Sequence, residues 1–215
     1  MAILSFLAKN KEENKWQIAK ALKKSYGNIH ATISDLKSNG LVKVYKIKES
    51  KKNPKQPVEY YGLTFRGLEN ALLFDKNLWN EIDQVVETHQ DKLLVFKKWD
   101  FFEKEGLKET VKKSLRSTLV GCAAAKMLLG PAGFEPTSPL YKSDVIDTMT
   151  LGCYSAASMG RNQPGLHSKI MVSCRKDKEL SDFIISRLKM FKQQAESQIQ
   201  KIEEVLNWYL KPQET

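Results

Sequence analysis

Lysine is concentrated in one short stretch of this 215-residue chain. Between Lys43 and Lys55 there are six lysines and a single acidic residue, Glu49. Like charges held this close together repel one another, and a bound anion relieves that repulsion. The stretch therefore predicts binding to a polyanion such as nucleic acid. A solvated lysine-rich surface that only maintains solubility is the alternative.

The lysines are predicted to lie on a two-stranded ribbon. Residues 41–48 and 58–63 are rich in β-branched and aromatic side chains, which is typical of paired strands. Residues 49–57 between them are polar and contain two prolines, so we expect an exposed loop. Three of the six lysines would lie in this loop and three on the first strand.

Two short helices are predicted before the ribbon. The first covers residues 15–26, with Asn14 as its N-cap and Gly27 as its end. The second covers residues 28–39, with Asn28 as its N-cap and Gly40 as its end. Apolar residues at near-helical spacing should face a common core: Trp16, Ile18, Ala19, Leu22, Ile29, Ile33 and Leu36. The outer face of the second helix would then carry His30, Ala31, Ser34, Lys37 and Ser38.

The order of these elements resembles a known DNA-binding fold. Two helices followed by SNGLVKVYKIK, a lysine-rich loop and YYGLTFRGLENAL is similar to the winged helix-turn-helix of prokaryotic transcriptional regulators, in the group that holds the MarR and PadR families. Gly-Leu-Val at 40–42 and Tyr-x-Leu-Thr-x-x-Gly at 61–67 are the matching motifs. The resemblance covers about the first 75 residues. It implies a second helix that enters the DNA major groove and a ribbon that acts as the wing.

The resemblance also implies which residues touch DNA. Asn28 would present amides to a phosphate, while the outer face of the second helix would meet base edges or phosphates. No arginine lies on that helix, so bidentate reading of guanine is not expected and DNA shape would carry much of the specificity. The predicted DNA contacts are Asn28, His30, Ala31, Ser34, Lys37, Ser38, Lys46, Lys48, Lys51, Lys52 and Lys55.

The rest of the chain, residues 76–215, is predicted to be a helical domain. We expect long helices over residues 76–105 and 107–129, an irregular connection at 130–139, a helix within 141–159 and a loop at 160–165. Residues 166–174 fit either a strand or a helix. The fold class is therefore mainly α with a small β-hairpin, in which a winged domain at 1–75 precedes a helical domain.

A long terminal helix is predicted before Pro212. Its apolar residues recur every three or four positions over about four heptads. This stripe either packs within the chain or forms a homodimer interface. Its members are Leu180, Ile184, Leu188, Phe191, Ala195, Ile199, Ile202, Leu206 and Tyr209.

Charge and cysteine content indicate a compartment and exclude some classes of protein. Of the net charge of +10, residues 1–75 carry +7, from 14 Lys and Arg against 7 Asp and Glu. Cys122, Cys153 and Cys174 form no C-x-x-C pair, which indicates core thiols in a reducing compartment, with a redox switch as the alternative. No signal peptide or spanning segment is evident, so we expect a cytoplasmic, nucleoid-associated protein without a membrane partner.

No motif of a catalytic, metal or cofactor site occurs in the sequence, so an enzyme, a metal site and a cofactor are not expected. The favoured function is a homodimeric, double-stranded DNA-binding transcriptional regulator. The alternative is a winged-helix protein-interaction or scaffold module. Binding of single strands has only Tyr45, Tyr60 and Tyr61 as candidate stacking groups. The helix near Cys122 and the loop at 130–139 either line a pocket for a small-molecule effector or form an ordinary core.

Overall fold

The computed structural model describes residues 1–49, 57–128, 143–153 and 166–210. The protein is mainly helical, with a small three-stranded antiparallel sheet and a long C-terminal helix. In chain order the elements are α1 (Ala2–Lys9), β1 (Glu13–Asn14), α2 (Lys15–Ala21), α3 (Tyr26–Ser38), β2 (Val42–Lys48), β3 (Val58–Leu63), α4 (Phe65–Phe74), a 3-10 helix (Lys76–Trp79), α5 (Ile82–Thr88), α6 (Leu94–Lys97), α7 (Trp99–Lys104), α8 (Lys108–Leu128), α9 (Ser143–Thr150), α10 (Leu166–Cys174) and α11 (Lys178–Leu210).

The sheet confirms the predicted ribbon and adds a third strand. β2 and β3 pair antiparallel from Val42 opposite Leu63 to Lys48 opposite Val58, with an irregularity in the register between Val44 and Lys46. β1 pairs with the other edge of β3, so the strand order is β1-β3-β2. A strand of two residues is too short to show strand periodicity, so no sign of it is visible in the sequence.

The boundary between α2 and α3 differs from the prediction. Asn14 caps α2 in a capping box with Gln17, as expected, but the helix ends at Ala21 rather than at residue 26. Lys23 takes the left-handed conformation (φ 51°) that was assigned to Gly27. The Ser25 hydroxyl then caps α3, which begins at Tyr26. Gly40 ends α3 with φ 68°, as predicted.

Residues 76–105 do not form the single long helix that their periodicity predicted. They form the 3-10 helix and the short helices α5, α6 and α7, before Gly106 (φ 67°). The Trp79 indole N–H donates to the Leu72 carbonyl at 2.8 Å, which folds the first turn back onto α4. Phe96 and Phe102 are fully buried. The apolar spacing therefore reflects packing of short helices into one core, because tertiary contacts override local periodicity.

Buried contacts cross the predicted domain boundary at residue 75. The ring Nε2 of His89 lies 3.1 Å from the Leu7 carbonyl of α1. His89 is buried, and burial lowers the pKa of its ring. One set of buried apolar residues runs from α1 through α11. The N-terminal elements are thus held directly against the helices that follow.

The C-terminal helices confirm several predictions. α8 matches the expected helix at 107–129, and residues 166–174 are helical rather than extended. α9 lies within the helix predicted at 141–159 and ends at Thr150, before Gly152 (φ 83°), while residues 154–159 lie outside the described residues. The predicted irregular segments 130–139 and 160–165 lie outside the described residues.

All three cysteines are buried thiols. Cys122 Sγ lies 3.6 Å from the Met149 sulfur, which joins α8 to α9. Burial raises the pKa of Cys153 to about 11 and that of Cys174 to about 12. Thiols with such pKa values stay protonated near neutral pH and are poor nucleophiles, which supports the role as core residues.

Asp147 makes the stability of the fold dependent on pH. Its buried carboxylate accepts the backbone N–H groups of Leu94 (2.8 Å) and Val95 (2.9 Å) at the start of α6. Burial raises the pKa of Asp147 to about 7, against the lowering effect of these two donors. The folded-state pKa of Asp147 lies above the ordinary value near 3.8. The protonated carboxyl therefore contributes its full stabilisation below pH 3.8, and this contribution is lost as the pH rises through 7.

Asp147→Asn should remove this dependence, because an amide does not titrate. Wild type should therefore lose stability relative to Asp147→Asn between about pH 5 and pH 8. Urea unfolding of both proteins at the two pH values measures the difference. An unchanged difference would show that Asp147 titrates in its ordinary range.

The N-terminal part of α11 packs against the core. Leu180 and Ile184 are buried, and Leu188 and Phe191 are partly buried against the core. From residue 192 to residue 208 every side chain is exposed. Among the described residues, no helix has the length and apolar character needed to cross a bilayer.

Candidate nucleic-acid interface

α3 presents a polar face to solvent. Ile29 and Ile33 are each 1% exposed and fix the helix against the core, as their spacing predicted. The predicted contact residues all lie on the exposed surface of α3: Asn28, His30, Ala31, Ser34, Lys37 and Ser38. This surface is hereafter called the α3 face.

Asn28 does not occupy the predicted capping position. It is the third residue of α3, and its N–H already donates to the Ser25 hydroxyl at 3.3 Å. The sequence placed the cap wrongly because both Ser25 and Asn28 are good N-cap residues. The amides at this terminus that lack a partner within the helix are those of Tyr26 and Gly27. A phosphate at this terminus would therefore meet these two N–H groups rather than that of Asn28.

His30 is held by a lysine from α2. Lys15 Nζ lies 3.0 Å from the Nδ1 atom of His30, and the same ammonium lies 5.2 Å from the centre of the Tyr61 ring. A lysine ammonium has no lone pair, so Nδ1 accepts and the ring hydrogen is on Nε2. His30 thus offers an N–H donor from the α3 face, which suits a base-edge acceptor or a phosphate oxygen.

The ribbon lysines differ in how much of their charge is available. Lys46 forms an ion pair with Glu12 and lies 5.1 Å from the Tyr60 ring centre, so its own chain partly neutralises it. Lys48 is exposed, and its Nζ also lies 5.1 Å from the centre of the Tyr60 ring. Lys43, which was not predicted as a contact, is also exposed. Lys51, Lys52 and Lys55 lie outside the described residues.

Backbone contacts fix the ribbon relative to the α3 face. The Thr64 hydroxyl donates to the Gly40 carbonyl at 2.7 Å and caps α4 through the Gly67 N–H. Gly67 lies so close to β2 that a Cβ built there would be 1.9 Å from the Leu41 carbonyl oxygen. The end of α3, the start of β2 and the start of α4 therefore meet at one rigid junction.

The ribbon is also tied to the C-terminal helices. Tyr45 lies at the register irregularity of β2, and its hydroxyl accepts a hydrogen bond from Lys92. Asp91 also pairs with Lys92, at 3.0 Å. This contact joins β2 to the segment after α5, so the ribbon packs directly against the later helices.

Three large apolar side chains next to the α3 face were not predicted as surface residues. Trp16 is 62% exposed, Tyr26 54% and Ile47 62%. The prediction that Trp16 faces the core is wrong. Residues two apart on a helix point about 200° apart, so a buried Ile18 already indicates an outward Trp16. Together with Lys15 and Tyr61 these residues line a groove between α2, the start of α3 and the ribbon.

Two lysines, Lys15 and Lys20, lie at this groove, whose lining also includes Glu59. Lys20 Nζ lies 5.4 Å from the Trp16 ring centre, and Lys15 reaches over Tyr61. Tyr61 donates its hydroxyl to the Glu59 carboxylate, and burial together with this bond raises the pKa of Tyr61. Exposed aromatic rings beside lysines can stack on bases or on a partner protein. The sequence assigned this role only to the tyrosines of the ribbon.

Comparison with known proteins gives no family for this chain. No protein-family model matches the sequence, and no curated protein matches it.

The predicted effector region is only partly described. The Met149 side chain occupies the space next to Cys122, so that part of α8 forms core with α9. The loop at 130–139 lies outside the described residues. Within the described ranges, no group of three His, Cys, Asp or Glu side chains is arranged to hold a metal ion.

Proposed function

We propose that this protein is a double-stranded DNA-binding transcriptional regulator with a winged helix-turn-helix at residues 1–75. The observation that carries the proposal is the α3 face, polar and fully exposed, held at one junction with a lysine-bearing ribbon. The element order α1-β1-α2-α3-β2-β3-α4 is the order expected for a winged helix. The fold alone assigns no function, so the side chains of the site carry the argument.

Charge supports DNA as the partner. The first 75 residues contain 14 Lys and Arg against 7 Asp and Glu, and the remaining 140 residues carry only +3 of the net charge of +10. Lysines in this region would neutralise phosphates and release condensed counterions. The proposed location is the cytoplasm, in association with the nucleoid.

The two parts of the site have different roles in this proposal. Lys48 and the loop lysines Lys51, Lys52 and Lys55 contact the backbone of the flanking minor groove, while Lys46 contributes less because it pairs with Glu12. His30, Ser34, Lys37 and Ser38 approach base edges from α3, with Ala31 close enough for apolar contact. The Tyr26 and Gly27 amides receive a phosphate. A small-molecule effector would bind among the C-terminal helices.

Selection of bound fragments from random duplex tests sequence recognition. Wild type should recover an inverted repeat, since a homodimer presents two α3 faces. Ser34→Ala and Lys37→Gln should shift the preferred bases by about 1–3 kcal/mol at the affected base pairs. Lys48→Gln is the matched control and should leave the recovered sequence unchanged while weakening all binding. Identical recovered sequences for all four proteins would contradict the assignment of α3.

A protein-interaction or scaffold module is the second candidate, and the groove around Trp16 favours it. Interfaces between proteins are enriched in aromatic side chains, and Trp16, Tyr26 and Ile47 are each more than half exposed. Trp16→Ala would then abolish partner binding without changing the salt dependence of any DNA binding. The lysines around this groove suit DNA better than an apolar protein surface.

A further inference from the structure

The C-terminal half of α11 is exposed throughout its described side chains. Residues 192–208 are all exposed, and at 1.5 Å per residue this segment extends about 26 Å. Five large apolar side chains along it are more than half exposed: Ile199 56%, Ile202 60%, Val205 63%, Leu206 51% and Trp208 75%. Helices of this length are marginal in water on their own, so the apolar face needs a partner helix.

The apolar stripe is nearly symmetric about Ser197. Leu188 and Leu206 lie nine residues to either side of it, and Ala195 and Ile199 lie two to either side. Two copies that run antiparallel around this point therefore place Leu188 opposite Leu206 and Ala195 opposite Ile199, and Ile202 lies within one residue of the position opposite Phe191. The small Ala195 would face the larger Ile199, which allows close packing.

The charges favour the same direction. Lys189 and Lys192 lie on the N-terminal side of Ser197, and Glu203 and Glu204, which outnumber Lys201, lie on the C-terminal side. Antiparallel pairing places each basic end beside the acidic end of the other copy, whereas parallel pairing places like charges together. Lys192 also pairs with Glu196 of its own helix at 3.6 Å, but both side chains are exposed and the pair leaves the helix-to-helix preference intact.

A groove on the body of the protein continues this surface. It lies between α10 and α11 and is lined by apolar residues that include Val172 (60% exposed) and Ile185 (47% exposed). In an antiparallel pair centred on Ser197, Trp208 of one copy lies opposite residue 186 of the other. That position is next to Ile185, so the groove would receive the indole.

We propose that α11 pairs antiparallel with α11 of a second copy of this chain, centred on Ser197, with Trp208 seated in the partner's groove between α10 and α11. This pairing defines the interface of the homodimer in the proposed function. It depends on the homodimer and does not depend on DNA binding. It places the two apolar stripes, the opposite charges and the groove in contact at once.

The oligomeric state of the full chain tests whether the exposed apolar face of α11 forms the dimer interface. Wild type should elute as a dimer by light scattering, and Ile202→Asp should raise the dimer dissociation constant at least about 100-fold, since two isoleucines are lost per dimer. Ile202 is 60% exposed, so this change should not unfold the chain. Phe74→Asp, at a residue 64% exposed on α4, is the matched control and should leave the dimer intact. A monomeric wild type, or equal effects of both changes, would overturn the proposal.

Disulfide formation tests whether the two α11 helices run antiparallel. In the antiparallel pair, residue 202 lies opposite residue 192 of the other copy and about 15 Å along the axis from residue 202 of that copy. Ile202→Cys alone should therefore give no cross-linked dimer, whereas Ile202→Cys co-expressed with Lys192→Cys should cross-link, because a disulfide needs Cα atoms within about 7 Å. Wild type, with its three buried thiols, is the background control.

A cross-linked dimer from Ile202→Cys alone would indicate parallel helices and overturn the proposal. DNA binding is a separate readout. A protein that forms this antiparallel dimer and binds no duplex would refute the proposed function and leave the dimer standing, and a monomer that binds duplex would do the reverse.

Discussion

Replacing Lys48, Lys51, Lys52 and Lys55 with glutamine should weaken binding to every duplex alike and flatten its salt dependence. Each lost phosphate contact lowers the slope of log affinity against log salt by about 0.9. When four contacts are lost, the drop in affinity between about 50 and 200 mM salt should therefore be about 100-fold smaller than in wild type. Fluorescence anisotropy on a selected site and on an unrelated duplex measures both effects.

The control variant has the same change in net charge, but its four replaced lysines lie outside the proposed DNA-binding site. Lys104, Lys113, Lys169 and Lys178 are exposed and lie outside residues 1–75. Their joint replacement with glutamine should leave the slope and the affinity close to those of wild type. Equal losses in the two quadruple variants would mean that net charge, rather than the ribbon, attracts DNA.

Gly67→Ala should destabilise the fold strongly. The new Cβ would lie 1.9 Å from the Leu41 carbonyl oxygen and 2.9 Å from its carbon, so the backbone of β2 or α4 would have to shift. The same carbonyl accepts the Thr64 N–H at 3.1 Å, which limits that shift. We expect a loss of about 1–3 kcal/mol or more, as for other overpacked sites. Urea unfolding followed by circular dichroism gives the value.

Gly121→Ala is the matched control for this effect. Gly121 lies within α8, and a Cβ there would meet nothing within 4 Å. Alanine in an open helix interior should stabilise by about 0.8–1.0 kcal/mol. If Gly67→Ala were as stable as wild type, the junction between α3, β2 and α4 would not be rigid, and the fixed position of the ribbon would lose its support.

Features set by local signals were predictable from the sequence. The N-cap at Asn14 and the strand at 58–63 depend on neighbouring residues and match the structure. The inward position of Ile29 and Ile33 followed from helical spacing alone. For the same reason the outward residues of the α3 face were placed correctly before any tertiary contact was known.

Features that depend on distant contacts were not predictable. Residues 76–105 break into short helices because Trp79 bonds to Leu72 and because Asp147, some 50 residues away, caps α6. The ion pair of Lys46 with Glu12 requires β1 to lie beside β3, which two residues of strand did not reveal. The exposure of Trp16 was missed because a large apolar residue was assigned to the core by type rather than by helical phase.

The affinity of the wild-type protein for a random-sequence duplex, measured at about 50 and 200 mM salt, tests the central claim most directly. If the lysine ribbon and the α3 face contact the DNA backbone, the protein binds at the lower salt concentration. Its affinity is then at least about 100-fold lower at the higher salt concentration. No binding at the lower salt, or equal affinity at both, would contradict the account.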